Sequence, residues 1–465
     1  MILVVVAITF KRLLCDFTGI SYSIGSFTMG KQRSKSTPQE VVDVEQDRIS
    51  FLPGHVIDCI LSYLPIREAV RTSVLSNRWR NKWYTLPNLV FDKHCVSHVA
   101  SQDPLVIEKK FLKIVDHVLL VHYGAINMFK FSDREDLVSD SADIDRWILH
   151  LTRRSIKELV LEVWIEEHYQ IPWCLFSCQS LQRLKLESCR LKPPTMFEGF
   201  KNLKSIDLDL VMVAQDVFEN LISGCPQLEE LKLTEVGGLD QINVRAPNLK
   251  LFKIIGEFEG ISFDNTFQLT TIVIDSWLDL NSDSNQRKPH GRSSNLLEFF
   301  DHQPHIQSLE IGSYFFKYLA AGVLPVKLPT PCIDLSYLSL SINFDDLNEI
   351  SATFCLLRSS PNLRKLEIYA RRFGVHTFTP PTYCWEDIFS GPVMPFQVRH
   401  VRIDGKGISG TKLELDFIKY LLLYSPVLEK MTVKPVANVV PELMKALMRF
   451  KRASGEAEVI WEDPS

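Results

Sequence analysis

The sequence predicts a mixed α/β fold, in which a short helical segment precedes a solenoid of parallel strands with helices along the outer side. Two observations favour this fold. Short amphipathic helices can be traced between residues 47 and 92, and after residue 125 a six-residue pattern, apolar-x-x-apolar-x-apolar, occurs twelve times. With 46% hydrophobic and 23% charged residues among 465, the chain can build a large core.

Composition and charge limit the partners. The formal net charge is −4 and basic doublets such as Lys109-Lys110 are scattered, so we expect no nucleic-acid partner. The apolar run 1–10 has about half the length of a membrane span, and we expect no membrane partner. Ten cysteines without framework spacing indicate reduced thiols, and hence a protein of the nucleus or the cytoplasm.

The chain begins with a segment, 1–46, that ends in a polar stretch and is predicted to be disordered. A first helix follows Pro53, because apolar residues recur at i, i+3, i+4 and i+7 as Ile57, Ile60, Leu61 and Leu64. After Pro65, a second helix places on one face Ile66, Ala69, Val70, Ser73 and Val74.

A third helix is predicted with Ser76 as its N-cap, carrying Trp79 and Trp83 four residues apart. Three short helices in fewer than forty residues cannot bury most of their own apolar surface. The excess needs a partner, either elsewhere in this chain or in another protein.

The residues of 47–92 resemble an F-box, and in particular that of plant proteins that combine an F-box, leucine-rich repeats and an FBD segment. The resemblance rests on the order Leu52-Pro53, Ile60-Leu61, Leu64-Pro65, Ala69-Val70, Ser73-Val74-Leu75-Ser76, Arg78-Trp79-Arg80, Trp83. One departure is Gly54-His55, where the family usually has an acidic residue after the Leu-Pro pair.

The resemblance implies that the apolar face binds a Skp-type adaptor, which in turn binds a cullin and a RING protein. The implied adaptor-binding residues are Leu52, Pro53, Ile57, Ile60, Leu61, Leu64, Pro65, Val70, Val74, Leu75, Trp79 and Trp83. In the alternative interpretation, the three helices pack only against the rest of this chain.

Between the helices and the repeats, the segment 93–125 is predicted to be a helical connector with an apolar stripe through Phe111, Ile114, Val115 and Val118. The recurring pattern then spans a predicted array, 126–390, and continues beyond it. Its matches start at Ile126, Ile156, Leu181, Leu203, Leu228, Leu249, Leu269, Ile306, Leu335, Leu363, Val398 and Leu428.

Proline stands two residues before five of these starts, at Pro226, Pro247, Pro304, Pro361 and Pro426, and helical runs precede several of them. Helix, proline, short strand and turn make one unit of a leucine-rich type of solenoid, although only Leu181–Leu191 completes the longer motif with its cysteine. Most units lack that Asn or Cys, which predicts an irregular array. A non-repetitive α/β domain with a parallel sheet is the alternative.

Two segments complete the organisation. Residues 279–295 are polar and aperiodic and are predicted to be a mobile loop within the array. The segment 391–465 is predicted to cap the array, and its part Gly407–Pro435 resembles the FBD segment. Its helix would carry Leu415, Ile418, Leu422 and Leu423, its strand Leu428, Met431 and Val433, and a last helix and strand would follow.

No pattern indicates catalysis. The sequence contains no phosphate-binding loop, no nucleophile elbow, no dinucleotide fingerprint and no zinc-protease motif. The pair Cys174 and Cys178, and the group His94, Cys95 and His98, lack a second ligand pair, so neither a metal nor another cofactor is expected. Two function classes remain: the substrate receptor of a Skp–cullin–F-box ubiquitin ligase, or an interaction scaffold that acts without ubiquitin transfer.

The target-binding surface is predicted from strand alternation, because the residues between the apolar matches point away from the core. The early units would expose charge at Arg183, Lys185, Glu187, Glu230 and Lys232. The later units would expose Leu251, Lys253, Ile255, Thr271, Val273, Asp275, Tyr337, Ser339, Ser341, Lys365, Glu367 and Tyr369, with Trp277 beyond. Aromatic and aliphatic anchors then predict a target site at Leu251, Ile255, Val273, Trp277, Tyr337 and Tyr369.

Overall fold

The computed structural model describes residues 49, 51–96, 104–133, 141–164, 168–277, 295–301, 305–371, 395–404, 408, 410–435, 445 and 447–462. The chain divides into two compact units, 1–143 and 144–465. The predicted disordered segment 1–46 lies outside the described residues, as does the predicted mobile loop apart from Asn295. Pro304 and the residues 441–444 and 446 of the predicted last helix lie outside them too.

The first unit contains three described helices, α1 (Gly54–Ser62), α2 (Ile66–Arg71) and α3 (Pro104–Val121), and two strands, β1 (Asn88–Phe91) and β2 (Met128–Asp133). Pro53 and Pro65 occupy the N-cap positions of α1 and α2, as the sequence predicts to within one residue. The strands β1 and β2 pair in parallel.

The predicted third helix is absent from the described residues. A 3₁₀ turn at Thr72–Val74 precedes the segment, hydrogen-bonded turns follow over 77–81, and a second 3₁₀ turn spans Lys82–Thr85. Most of the backbone bonds here span three residues, as from Lys82 N to Trp79 O at 3.2 Å, and only the bond from Arg80 N to Ser76 O spans four. Asn77 and Asn81 interrupt the segment, and asparagine competes with the helical backbone for hydrogen bonds. Both tryptophans are nevertheless buried.

Helix α3 packs its predicted stripe inward. Phe111, Val115 and Val118 are buried, while Ile114 is half-buried. The Phe111 ring stacks on that of Phe131, with centroids 5.2 Å apart. The core of the first unit therefore joins α3 to the strand β2.

The second unit contains twelve described strands that pair in parallel in one sheet, in chain order. They are β3 (Glu158–Val163), β5 (Arg183–Glu187), β7 (Ser205–Asp209), β9 (Glu230–Thr234), β11 (Leu251–Gly256), β13 (Thr271–Ser276), β14 (Ser308–Ile311), β15 (Tyr337–Asn343), β16 (Lys365–Arg371), β17 (His400–Asp404), β18 (Lys430–Val433) and β19 (Glu458–Trp461). The predicted parallel sheet is confirmed.

Every one of the twelve pattern starts is at most 1% exposed, and a strand begins two residues after each. The first match, at Ile126, precedes β2 in the first unit, and the other eleven lie in the second. This regularity follows from the pattern, because its second and third apolar residues fall at alternate positions of a strand and face one side.

The turns of the array are satisfied by two recurring devices that the sequence pattern did not reveal. Asparagine side chains bridge successive units, as Asn248 Nδ2 donates to Pro226 O at 2.9 Å and Asn362 Nδ2 donates to Ile333 O at 2.8 Å. At strand ends, residues with positive φ such as Ser188 and Leu210 donate their amides to the next strand. These bonds connect successive units at their turns.

Helices lie along the other side of the sheet, as the sequence predicts, and they cover it only in part. The helices are α4 (Ala142–Arg153), α5 (Gln215–Ser223), α6 (Asn295–Asp301), α7 (Ser313–Leu319), α8 (Leu347–Ser359) and α9 (Lys412–Tyr424). Short parallel strands also lie along this side, namely β4 (Tyr169–Gln170), β6 (Cys189–Leu191), β8 (Met212–Val213), β10 (Gln241–Arg245) and β12 (Gly260–Asp264), of which β8 shares its unit with α5. The repeat steps that contain β6, β10 and β12 are only 20 to 22 residues long, which leaves little length for a helix after a strand and two turns.

The predicted helix and strand of the FBD-like segment are confirmed as α9 and β18. Thr411 and Glu414 form a capping box, in which Glu414 Oε2 accepts from Thr411 N at 2.9 Å. Leu415 and Leu423 are only half-buried, whereas Phe417 and Leu421 are buried. The inward face of α9 is therefore rotated from the predicted one.

Candidate adaptor-binding and target-binding surfaces

Five of the twelve residues predicted to bind an adaptor are buried inside the first unit. They are Ile57, Ile60, Leu61, Trp79 and Trp83, each at most 5% exposed. Trp79 is also held by a hydrogen bond from Nε1 to Ile49 O, at 3.1 Å. A partner could reach these side chains only by opening the core. The structure therefore assigns them to the fold of the unit rather than to a contact surface.

The other seven predicted residues remain accessible. Leu52, Leu64, Val70 and Leu75 are half-buried, and Pro53, Pro65 and Val74 are exposed. Val74 is 87% exposed, because α2 ends at Arg71 and the following turn carries Val74 away from the helix face. The unit thus keeps apolar residues outside its core, and a group of such residues on one surface is typical of a protein-protein interaction site.

Two further apolar side chains were missed by the sequence interpretation. Phe51 is 76% exposed and Tyr63 is 67% exposed, and they stand before and after α1. Both fall outside the i, i+3, i+4, i+7 stripe, so the search for a helical face passed over them. We call these two residues and the seven accessible predicted ones the adaptor patch: Phe51, Leu52, Pro53, Tyr63, Leu64, Pro65, Val70, Val74 and Leu75.

An ion pair ties α1 to the second 3₁₀ turn. Lys82 Nζ lies 2.9 Å from Asp58 Oδ1, and both side chains are accessible to solvent. Accessible pairs of this kind contribute at most about 1 kcal/mol to stability. The adaptor patch therefore owes its arrangement mainly to the buried apolar residues beneath it.

The second unit presents one face of its sheet away from the core, and we call it the open face. It consists of the alternate residues of β3 to β19, as in β11, where Leu251, Lys253 and Ile255 are half-buried and Phe252 and Ile254 are buried. The predicted alternation is thereby confirmed. The target-binding role of these residues remains a prediction.

On β11 and β13 the structure brings four of the six predicted target-binding residues together. Val273 lies beside Lys253 in register, and Leu251 and Ile255 flank Lys253 along the strand. Trp277 is 49% exposed and its amide donates to Gly256 O at 3.2 Å, which places it next to the end of β11. These residues make an apolar strip on the open face.

The remaining two predicted anchors, Tyr337 and Tyr369, meet at Glu367. Their hydroxyls donate to Glu367 Oε2 at 3.0 and 3.3 Å, and Lys365 Nζ lies 2.7 Å from Oε1. Burial raises the pKa of Glu367, but Lys365 and the two hydroxyls outweigh it and hold the pKa below its ordinary value. We call Tyr337, Lys365, Glu367 and Tyr369 the tyrosine cluster. The strand β14 separates it from the apolar strip.

Two residues predicted to be exposed are buried instead. Ser339 is 5% exposed, because in register it lies between the larger Glu310 and Glu367. Glu187 is 4% exposed, because the Trp164 indole covers it and donates from Nε1 to Oε1 at 2.9 Å. Alternation fixes the face of a residue, but the sizes of its neighbours fix its exposure.

A buried charge pair stands at the end of the strands β15 and β16. Arg371 Nη2 lies 2.7 Å from Glu349 Oε1, and Arg371 also donates to the carbonyls of Ser313 and Ser341. Burial raises the pKa of Glu349 to about 8, although Arg371 and the Asn343 amide oppose the rise. The pair joins three neighbouring units and α8, which indicates a structural role.

Burial makes five of the described cysteines poor nucleophiles. Burial raises the pKa of Cys95, Cys225 and Cys332 to about 11, and that of Cys189 and Cys355 to about 12. These thiols are protonated at neutral pH, and a thiol attacks only as its thiolate. In the described part of the chain, no group of three His, Cys, Asp or Glu residues could hold a metal ion.

A cleft of about 250 Å³ lies between β12, α6 and α7, and aromatic rings form much of its wall. Its lining residues are Ile261, Ser262, Phe263, Asn295, Glu298, Phe299, Phe315, Tyr318 and Leu319.

No described helix is both long enough and apolar enough to cross a membrane.

Comparison with known proteins identifies both parts of the chain. The F-box domain model matches residues 49–91, and the model described as FBD-associated F-box protein At5g56370, LRR repeats, matches residues 144–368. The adaptor patch lies within the first match, and the apolar strip and most of the tyrosine cluster lie within the second.

Curated relatives extend the similarity to most of the chain. The F-box/FBD/LRR-repeat protein At1g13570 of Arabidopsis thaliana is 36% identical over 421 residues, which cover 89% of this chain and 98% of the relative. The FBD-associated F-box protein At1g66310 of the same plant is 27% identical over 469 residues, covering 93% of this chain and all of the relative. The chain therefore belongs to the F-box/FBD/leucine-rich-repeat family of plant proteins.

Proposed function

We propose that the protein is the substrate-recognition subunit of a Skp–cullin–F-box ubiquitin ligase, acting in the nucleus or the cytoplasm. An F-box implies a Skp-type adaptor as partner, and the adaptor patch supports that contact because it leaves strongly exposed apolar residues such as Val74. Cullin and RING proteins would join through the adaptor. This accessible patch on an F-box is the observation that carries the proposal.

The proposed receptor makes and breaks no bond. It holds a target so that a target lysine lies near the thioester of a ubiquitin-conjugating enzyme, and the rate gain comes from effective concentration and orientation. The five cysteines whose pKa burial raises to about 11 or 12 support a non-catalytic role, since their thiols are protonated at neutral pH.

The target would bind the open face, at the apolar strip and the tyrosine cluster. Trp277 and Tyr369 support this site because each keeps nearly half of its side chain accessible, at 49% and 44%. Replacing Trp277, Tyr337 and Tyr369 together with alanine is expected to weaken target capture and to leave adaptor binding unchanged. Unchanged target turnover in cells that express the triple variant would place the site elsewhere.

A reconstituted ubiquitination reaction distinguishes the ligase subunit from the alternative, an interaction scaffold that acts without ubiquitin transfer. The full chain, a Skp-type adaptor, a cullin–RING pair and a conjugating enzyme are incubated with ubiquitin and with target proteins captured from the chain's own cells. The proposal predicts ubiquitin chains on a captured protein, lost when Val74→Asp replaces the wild type. Adaptor binding without ubiquitin transfer to any captured protein would favour the scaffold.

A further inference from the structure

The open face between β3 and β16 carries four lysines, and one of them differs from the others. Lys185 lies 2.7 Å from Glu162, Lys232 lies 3.4 Å from Glu230, and Lys365 lies 2.7 Å from Glu367. Lys253 makes no ion pair and no side-chain hydrogen bond with any residue that the structure describes. Three ammonium groups are compensated within the chain, and the fourth is not.

The neighbours of Lys253 explain why no carboxylate reaches it. Along β11, its neighbours on the same face are Leu251 and Ile255, and across the sheet it lies between Val273 and Lys232. Adjacent strands stand about 4.8 Å apart, so the two ammonium-bearing side chains are neighbours on one face and repel each other.

The nearest diagonal acids are already engaged. Glu230 bonds to Lys232 and Ser205, and Asp275 Oδ1 accepts from the Ser313 amide at 3.2 Å. Lys253 is also half-buried, so its charge is less well hydrated than that of a fully exposed lysine. A carboxylate brought by a partner would both pair with Lys253 and relieve its repulsion with Lys232.

We propose that the apolar strip binds an acidic apolar segment of the target protein, in which a Glu or Asp carboxylate pairs with Lys253 while flanking apolar side chains contact Ile255, Val273 and Trp277. This inference rests on the proposed target-binding role of the open face and specifies its chemistry. Charge complementarity selects the acid, and the apolar residues on three sides of Lys253 select its neighbours.

Peptide selection on the full chain tests this chemistry without a known target. Three pools of nine-residue peptides differ only at the centre, which is Glu, Gln or Lys. The two positions on each side are mixtures of Leu, Ile, Val and Phe, and the outer positions are Ser or Ala. Retention by the immobilised chain is measured by mass spectrometry. We expect the Glu pool to be retained at least about tenfold more than the Lys pool, with the Gln pool between them.

Two variants and a matched control identify the group responsible. Lys253→Glu is expected to reverse the preference, and Lys253→Gln to bring the Glu and Lys pools within about twofold of each other. Lys250→Glu makes the same change three residues earlier, at an exposed lysine that pairs with Glu229, and is expected to keep the wild-type preference. Thermal unfolding of each variant verifies that it folds. If Lys253→Glu does not fold, Lys253→Gln alone tests the role of the lysine.

Equal retention of the Glu and Lys pools by the wild type, retention of none of the pools, or a Glu preference that persists in Lys253→Gln would overturn the proposal. Adaptor binding is measured in parallel for each variant. A wild-type chain that binds no adaptor but prefers the Glu pool would refute the ligase function and leave the proposed target chemistry intact. A wild-type chain that binds the adaptor but shows no preference for the Glu pool would refute only the proposed target chemistry.

Discussion

The adaptor patch and the open face both expose apolar side chains, but they hold them differently. In the adaptor patch, Val74 and Phe51 are more than three-quarters exposed above a buried core. On the open face, the predicted anchors are half-buried or nearly so, and Tyr337 and Tyr369 are hydrogen-bonded to Glu367. A change at an exposed residue of the adaptor patch should therefore alter binding alone, whereas a change at an anchor of the open face should alter binding and stability together.

The largest effect is expected beneath the adaptor patch. Trp79→Ala removes a side chain that is 1% exposed and should destabilise the first unit by about 3 to 5 kcal/mol. Chemical denaturation, monitored by the hydrogen exchange of amides in the first unit, would measure this loss of stability. Adaptor binding should decrease only in proportion to the fraction of the first unit that is unfolded. If Trp79→Ala leaves stability unchanged but abolishes adaptor binding, Trp79 is a contact residue. The separation of the twelve predicted adaptor-binding residues into buried, structural ones and accessible, binding ones would then be wrong.

The second largest effect is expected for the pair Glu349 and Arg371, at the end of the strands β15 and β16. Glu349→Ala leaves the buried Arg371 guanidinium without the carboxyl oxygen that accepts its hydrogen bond, and should cost about 3 kcal/mol or more. Glu349→Gln keeps the shape and a hydrogen-bond acceptor, so it should cost less. Urea unfolding at constant pH compares the two variants, and equal costs would contradict the assigned role of the carboxyl.

The raised pKa of Glu349 gives this pair a pH dependence. The folded protein keeps the carboxyl proton up to about pH 8, whereas the unfolded chain releases it near the ordinary value of 4.5. Between these values the folded state binds more protons, so the stability from this group is full below about pH 4.5 and is lost as pH rises to 8. The difference in unfolding free energy between wild type and Glu349→Gln should shrink from pH 5 to pH 8, and a constant difference would contradict it.

A smaller effect is expected at the tyrosine cluster. Tyr337→Phe removes the hydroxyl that donates to Glu367 and should cost about 1 kcal/mol of stability. Tyr63→Phe makes the same change at a residue of the adaptor patch that is 67% exposed, and should cost less than about 0.5 kcal/mol. Thermal unfolding measures both. Equal costs would remove the distinction between the two surfaces.

The two units also differ in how much of them the sequence predicts. In the repeats, the pattern gives the strand starts and the inward face, because strand alternation has a fixed period of two. In the first unit, Trp79 and Trp83 are spaced for a helix but lie on turns in which most backbone bonds span three residues rather than four. Over so few residues, periodicity does not distinguish the two kinds of turn.

Contacts between distant residues escape the sequence entirely. Glu349 and Arg371 meet because α8 packs beside the strand that ends at Arg371, and the isolation of Lys253 depends on which residues lie beside it in register. The replacement of helices by β10 and β12 could have been expected from the short repeat steps alone.

The central claim is that accessible apolar residues of the first unit bind a Skp-type adaptor while the buried ones support them. Calorimetric titration of the full chain with the adaptor tests it in Val74→Asp, with Val323→Asp as a control at a residue of the second unit that is 67% exposed. We predict that Val74→Asp weakens binding about 30-fold, or about 2 kcal/mol, with an unchanged unfolding midpoint, and that Val323→Asp binds like the wild type. An unchanged dissociation constant for Val74→Asp, or an equal loss in Val323→Asp, would contradict the claim.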